Sequence, residues 1–213
     1  MPDNSFIADN GQRYFTQPYI DTINSIKHSV ASLSNKNNYP NKIYFTRTHI
    51  QSKRDFGEQS VENLFKKKGY VIIAPEEHSV EEQIAFLMNC SHFATTEGSI
   101  SHNVVFCSKG TDVVIIRKCY DVNKYQMALN EVADANVTYI DAHNSIKTPD
   151  NAPWVGPFFM YPNKYIELFF GENCLYYRQL DPKWWLYNIQ DTPLYKRIMN
   201  KIHGLTKSMS SNL

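Results

Sequence analysis

GYVIIAPEEHSVEEQIAFLMNCSHFATTEGS, residues 69–99, decides the fold. YVIIA (70–74) is short, β-branched and apolar on both faces, and Pro75 stops it. Ser79 followed by Glu82 has the spacing of a capping box, and Val80, Ile84, Leu87 and Met88 then recur at helical spacing. HFATT (92–96) is again a short apolar run with extended-chain character. A strand, a helix and a strand whose apolar residues do not alternate with polar ones predict parallel pairing, with helices covering both faces.

The same pattern extends in both directions. KIYF (42–45), DVVIIR (112–117) and VTYID (137–141) read as further strands. A helix is expected from Asp55, with Glu58 closing a second capping box, Val61, Leu64 and Phe65 as its apolar stripe, and Gly69 at its end. Residues 123–134 read as another helix. Residues 16–34 form an amphipathic one, with Ile20, Ile23, Ile26 and Val30 on one side. The expected fold class is α/β: a Rossmann-like parallel sheet of about five strands with helices on both faces. Three regions follow: a helical lead-in over 1–40, a nucleotide-binding Rossmann-like domain over 41–142, and residues 143–213 packing on the same domain. That last region opens with a loop rich in proline and aromatics (Pro149, Pro153, Trp154, Pro157, Pro162), and its tail is expected to be helical from Asp181.

Composition narrows the function classes. With 42% hydrophobic and 14% aromatic residues the chain can fill a core, and disorder is excluded as the default. A formal charge of +1 argues against a dedicated nucleic-acid binder. Cys90, Cys107, Cys119 and Cys174 show no CxxC pairing and read as buried thiols. The histidines have no metal-ligand spacing such as HExxH, so no metal is expected. Neither a signal peptide nor an apolar run of spanning length is visible, so a cytoplasmic protein is expected. Trp184 and Trp185 among the basic residues Lys183, Lys196 and Arg197 leave two options for the tail: contact with the inner face of a membrane, or packed aromatics with solvated lysines.

TTEGSISHNVVF (95–106) lies beyond a strand's carboxyl end, where ligands of open parallel sheets bind. Gly98 permits a tight turn, Ser99 is a good N-cap, and a helix through Asn103 would aim its first amides at an anion. Ser101, His102 and Asn103 add donors, although a capped helix with a polar entry would look the same. Arg47 and Arg117 end strands, and Arg54 lies in a loop; all three could converge on a diphosphate or simply pair with carboxylates. Glu76, after the second strand, fits either a solvated turn or a ribose or acceptor contact.

Taken in order, YFTR, GYVIIAPEEHSVEEQI, EGSISHNVVF and GTDVVII resemble the donor-binding half of glycosyltransferase family sixty-one over residues 42–117. Arg47, Gly69, Pro75, Glu76, Ser79, Glu82, Gln83, Gly98, Asn103 and Phe106 fall on that family's pattern. The resemblance implies a GT-B glycosyltransferase that is inverting and metal-independent. It would move a sugar from a nucleoside diphosphate donor to a saccharide acceptor in capsule or surface-polysaccharide synthesis in a bacterium. No cofactor beyond the nucleotide-sugar is implied. The absence of an Asp-x-Asp motif agrees with metal independence. Glu97 stands where the family has histidine, and is expected to cap amides, bind a sugar or ribose hydroxyl, or act as the base; His102 is the other candidate base. Only the residues up to Asn41 precede the first strand, so the acceptor-binding half is expected to be missing or supplied by another chain. The alternative function is a non-catalytic donor-half module that oligomerises with, or regulates, a partner transferase.

Overall fold

A computed structural model describes residues 6–9, 12–33, 39–50, 55–120, 123–143, 158–174 and 197–201. The chain divides into two units, 1–178 and 179–213. Of the second, only residues 197–201 are described, and they are helical. Arg54, most of the proline-rich loop and most of the expected tail helix lie outside the described residues.

The first unit starts with an antiparallel hairpin, β1 (Phe6–Asp9) and β2 (Gln12–Phe15), inside the region that the sequence leads one to expect as a helical lead-in. Next come α1 (Gln17–Leu33), β3 (Lys42–Phe45), β4 (Asp55–Phe56), α2 (Glu58–Lys67) and β5 (Val71–Ile73). Then follow α3 (Val80–Asn89), β6 (His92–Thr96), β7 (Asp112–Arg117), α4 (Lys124–Ala133), β8 (Asn136–Asp141), β9 (Phe158–Phe159) and α5 (Lys164–Phe170).

Five of these strands form one parallel sheet in the order β5-β3-β6-β7-β8. Successive residues of a strand point to opposite faces, so each strand feeds two cores. Ile43, Phe45, Phe93, Val113 and Ile115 pack on one side with Ile23 of α1, Leu87 of α3 and Leu129 of α4. Tyr44, Ala94, Val114 and Ile116 pack on the other with Val61, Leu64 and Phe65 of α2 and Ile166 of α5. This two-sided burial is why the strands read as continuous apolar runs. All four cysteines are buried, Cys90 and Cys107 in the first of these layers and Cys174 in the second, and none forms a disulfide.

The local signals fared unequally. The Ser79–Glu82 capping box is present, each side chain taking the other residue's backbone N–H, at 3.2 and 2.9 Å. Gln83 then ties the preceding turn down by donating to the carbonyls of Pro75 and His78. The box expected at Asp55 and Glu58 does not form. Asp55 belongs to β4, which pairs in parallel with β9, and Gly57 precedes the helix in a left-handed conformation (φ 81°) with no side-chain cap. A Cβ at Gly57 would collide with the Met160 carbonyl, so glycine is what lets β9 come this close.

Along the sheet the chain first steps from β3 to β5 on one side, then crosses to β6 on the other. Between β3 and β6 is therefore the topological switch point, where open α/β sheets leave a crevice for ligands. Arg47 leaves the end of β3, and Glu97 with Gly98 leaves the end of β6.

Candidate active site

At that crevice lies a cavity of about 320 Å³. Arg47, Glu97, Gly98, Ser99 and His102 line it, as do Lys118, Asn123 and Phe158, which sequence reasoning did not single out.

Arg47 is positioned by buried carboxylates on α2. Glu58 accepts the Arg47 backbone N–H at 3.0 Å. Glu62 accepts the hydroxyls of Thr46 and Thr48 at 2.6 and 2.8 Å. These charge-assisted bonds hold the loop after β3 on both sides of the arginine. Its guanidinium then faces Asp55, whose carboxylate also takes Lys118 Nζ at 3.1 Å; Arg47 Nη1 is 3.8 Å from the same oxygen. Lys118 Nζ also stands 4.8 Å from the centre of the Phe158 ring, a cation–π contact. Two cations thus share one carboxylate.

Gly98 is the floor beneath them. A Cβ there would sit 3.4 Å from Arg47 Nη1 and 3.5 Å from Lys118 Nζ, and its φ of 137° is one that L side chains rarely adopt. Glycine keeps open the space directly under both positive groups.

The expected helix start behind Gly98 is different in the structure. A six-residue 3-10 helix runs over Ser101–Phe106, and Ser99 does not cap it. The amides of Ser101, His102 and Asn103 turn inward to the carbonyls of Gly98, Ser99 and Ile100, and the Gly98 amide donates to Ser101 Oγ. No open cradle of first-turn amides is formed, so positive charge in the cavity comes from side chains instead. Ser101 is wholly buried, its Oγ 2.6 Å from Gln126 Oε1, and it clamps the turn to α4. Asn103 and Glu76 do not line the cavity; Glu76 follows β5, the edge strand beyond β3. Arg117 points the other way from Lys118, donating to Asp141 and to the Tyr120 carbonyl, each at 2.8 Å.

Glu97 is 1% exposed, and neither carboxylate oxygen has a hydrogen-bond partner. Burial pushes its carboxyl above the ordinary value. The Arg117 and Lys118 charges and the nearby amides of Lys118 and Asn123 oppose that shift without reversing it. The amides of Ser101, His102 and Asn103 are taken by backbone carbonyls, so Glu97 does not cap that turn. Burial likewise presses the His102 imidazole down, toward its neutral form. Asn123 Oδ1 is committed to the Tyr125 and Gln126 amides at the start of α4. Its Nδ2 consequently donates toward His102 Nε2 at 3.3 Å, which places the histidine's proton on Nδ1.

A doubly wound α/β unit with paired cations over a glycine at its switch point has the make-up of a nucleotide-type anion site. A family model described as glycosyltransferase 61 matches residues 5–114, just over half of the chain, and the chain belongs to that family. It is a glycosyltransferase by that membership, with a nucleotide-sugar and an acceptor as the substrates the family implies. No curated protein matches it. The match takes in the hairpin and α1 as well as Arg47, Glu97, Gly98 and His102; Lys118, Asn123 and Phe158 lie beyond its end. No helix among the described residues is long and apolar enough to cross a membrane.

Proposed function

We propose that this chain transfers a sugar from a nucleoside diphosphate donor to a saccharide hydroxyl, with inversion and without a metal, in bacterial capsule or surface-polysaccharide synthesis at the cytoplasmic side. Carrying this reading is the convergence of Arg47 and Lys118 over Gly98 at the switch point. There the two cations take the diphosphate, with Arg47, the more exposed, making bidentate contacts. In the transfer an acceptor oxygen bonds to the anomeric carbon from one face, while the bond from that carbon to the diphosphate oxygen breaks on the other. Arg47 and Lys118 stabilise the charge that develops on the leaving diphosphate. The acceptor's proton goes to a base, and neutral His102 on the cavity wall is the candidate, its Nε2 lone pair exchanging the Asn123 amide for the acceptor hydroxyl. Glu97 lies too deeply covered to meet the acceptor without movement.

The test is a melting-temperature panel of nucleoside diphosphates and their sugars. Uridine or guanosine diphosphate is expected to raise the melting temperature, and Arg47→Ala to abolish the rise. A panel in which no nucleoside diphosphate shifts the wild-type chain refutes the proposal.

A further inference from the structure

A second cavity, of about 450 Å³, opens beyond the end of β8. Asp141, His143, Tyr161 and Tyr165 contribute to its wall, and its construction differs from that of the basic cavity. Tyr161 is held in place by stacking on Phe159, with ring centres 5.9 Å apart and planes 21° from parallel. Tyr165 is 48% exposed, and Lys164 Nζ lies 5.0 Å from its ring centre. Asn163 braces the wall: its Nδ2 donates to the Asp141 carbonyl at 2.6 Å, and its Oδ1 accepts the Tyr165 and Ile166 amides. The segments carrying the cavity are joined by the His143–Met160 bridge and by the Tyr161 amide on the Ala142 carbonyl. His143 Nδ1 is buried without a hydrogen-bond partner. Asp141 is half exposed and receives Arg117.

Aromatic rings beside a carboxylate and an imidazole suit a saccharide, whose C–H faces lie on rings while its hydroxyls reach polar groups. Location completes the argument. The short segment from Phe158 to Tyr161 borders both cavities, Phe158 the basic one and Tyr161 the second. Three residues of extended chain span about 10 Å. On the sheet side, Lys118 turns to the basic cavity while its neighbour Arg117 turns to Asp141. The two cavities are thus neighbours at the ends of β7 and β8, and an acceptor seated in the second extends its reacting hydroxyl past the Phe158–Tyr161 segment into the basic one.

We propose that the cavity formed by Asp141, His143, Tyr161 and Tyr165 binds the saccharide acceptor, so that donor and acceptor sites reside in one unit of this chain. This rests on the transferase reading above, and it replaces the expectation that the acceptor site must come from elsewhere.

The experiment is saturation-transfer NMR on the full chain with chitotriose, maltotriose and xylotriose as probes, run on wild type, Tyr165→Ala and His143→Ala. At least one probe is expected to receive saturation. Tyr165→Ala is expected to weaken its binding by about tenfold, the equivalent of losing one aromatic contact. Uridine diphosphate should raise the melting temperature of Tyr165→Ala as it does that of wild type, showing a folded chain with an intact basic cavity. Saturation of none of the probes, or unchanged affinity in both variants, overturns the acceptor site. A missing nucleotide shift in wild type with saccharide binding intact would overturn the donor reading and leave this cavity standing as a saccharide site.

Discussion

Replacing Lys118 by methionine separates what the basic cavity does for the fold from what it does for a ligand. Lys118 and Asp55 have side chains 9% and 5% exposed, and their charges meet at 3.1 Å. Removing one partner of a buried pair destabilises by about 3–5 kcal/mol when the remaining charge is left alone. Here Asp55 keeps Arg47 at 3.8 Å, with the arginine side chain 26% exposed and partly screened by water. Methionine also keeps some of the contact with the Phe158 ring. The lower end, about 3 kcal/mol, is therefore expected. For a chain of this size that corresponds to a fall in melting temperature of roughly 6–12 °C. Circular-dichroism melts of Lys118→Met, Asp55→Asn and the double variant complete the cycle. The double variant is expected to recover part of the loss, with a coupling of about 2 kcal/mol, because neither charge is then left without the other. Melts with uridine diphosphate read the second role. Asp55→Asn should keep or enlarge the ligand shift, and both proteins lacking Lys118 should lose most of it. A single variant within about 2 °C of wild type, or strict additivity in the cycle, would show that the pair is not coupled as its geometry requires. A full ligand shift in Lys118→Met would remove this lysine from the diphosphate site.

Glu97→Gln probes the buried carboxyl. Because burial raises its pKa in the folded state, the folded chain holds this proton to higher pH than the unfolded chain. The resulting penalty is absent below the ordinary carboxylate range, grows as pH rises through the folded-state value, and is fully present above it. The variant should therefore melt above wild type at pH 8, with the gap closing toward pH 4; a gap independent of pH refutes this. Gly57→Ala forces a Cβ against the Met160 carbonyl in a left-handed backbone, and is expected to lower stability by about 3 kcal/mol or more and to loosen the β4–β9 pair. Faster amide exchange at Met160, whose N–H bonds the Phe56 carbonyl, is the confirming sign. Glu62→Ala frees the hydroxyls of Thr46 and Thr48, which should cost about 2 kcal/mol. It should also weaken uridine diphosphate binding although residue 62 does not line the cavity; unaltered affinity would show that the Arg47 loop holds itself.

The sheet was legible because its information is local. Ile43, Phe45, Phe93 and Ile115 bury one face of each strand, and Tyr44, Ala94, Val114 and Ile116 the other, so parallel pairing left its mark as unbroken apolar runs. The Ser79 cap was legible for the same reason, since both partners lie within one turn. Asp55 was misread because its strand exists only by pairing with Phe158 and Phe159, about a hundred residues on. Nothing near Asp55 shows that a distant β9 will claim it. The hairpin over residues 6–15 was missed as well; its strands are four residues each, too short for a periodicity to emerge beside the strong stripe of α1.

The site shows the same division between what is local and what is not. Arg47, Glu97, Gly98, Ser99 and His102 were found because they leave the ends of strands that the sequence already placed. Arg117 takes the carboxylate-pairing option that its sequence left open, while Lys118, which no pattern singles out, enters the crevice, and the reason is geometric. Adjacent residues at a strand end face opposite sides, so whichever of the two enters the crevice, the other must leave it. The strand's inner and outer positions were equally apolar, which left the parity of residue 118 undetermined by pattern alone. What fixes it is Asp55, brought to the crevice by the β4–β9 pairing, together with the Phe158 ring on the same segment. The same pairing carries Tyr161 to the saccharide cavity. One two-residue parallel contact thus selects which cation enters the basic cavity and carries the segment that borders both cavities. Arginine at 117 then serves a different end, pairing with Asp141 at the edge of the second cavity.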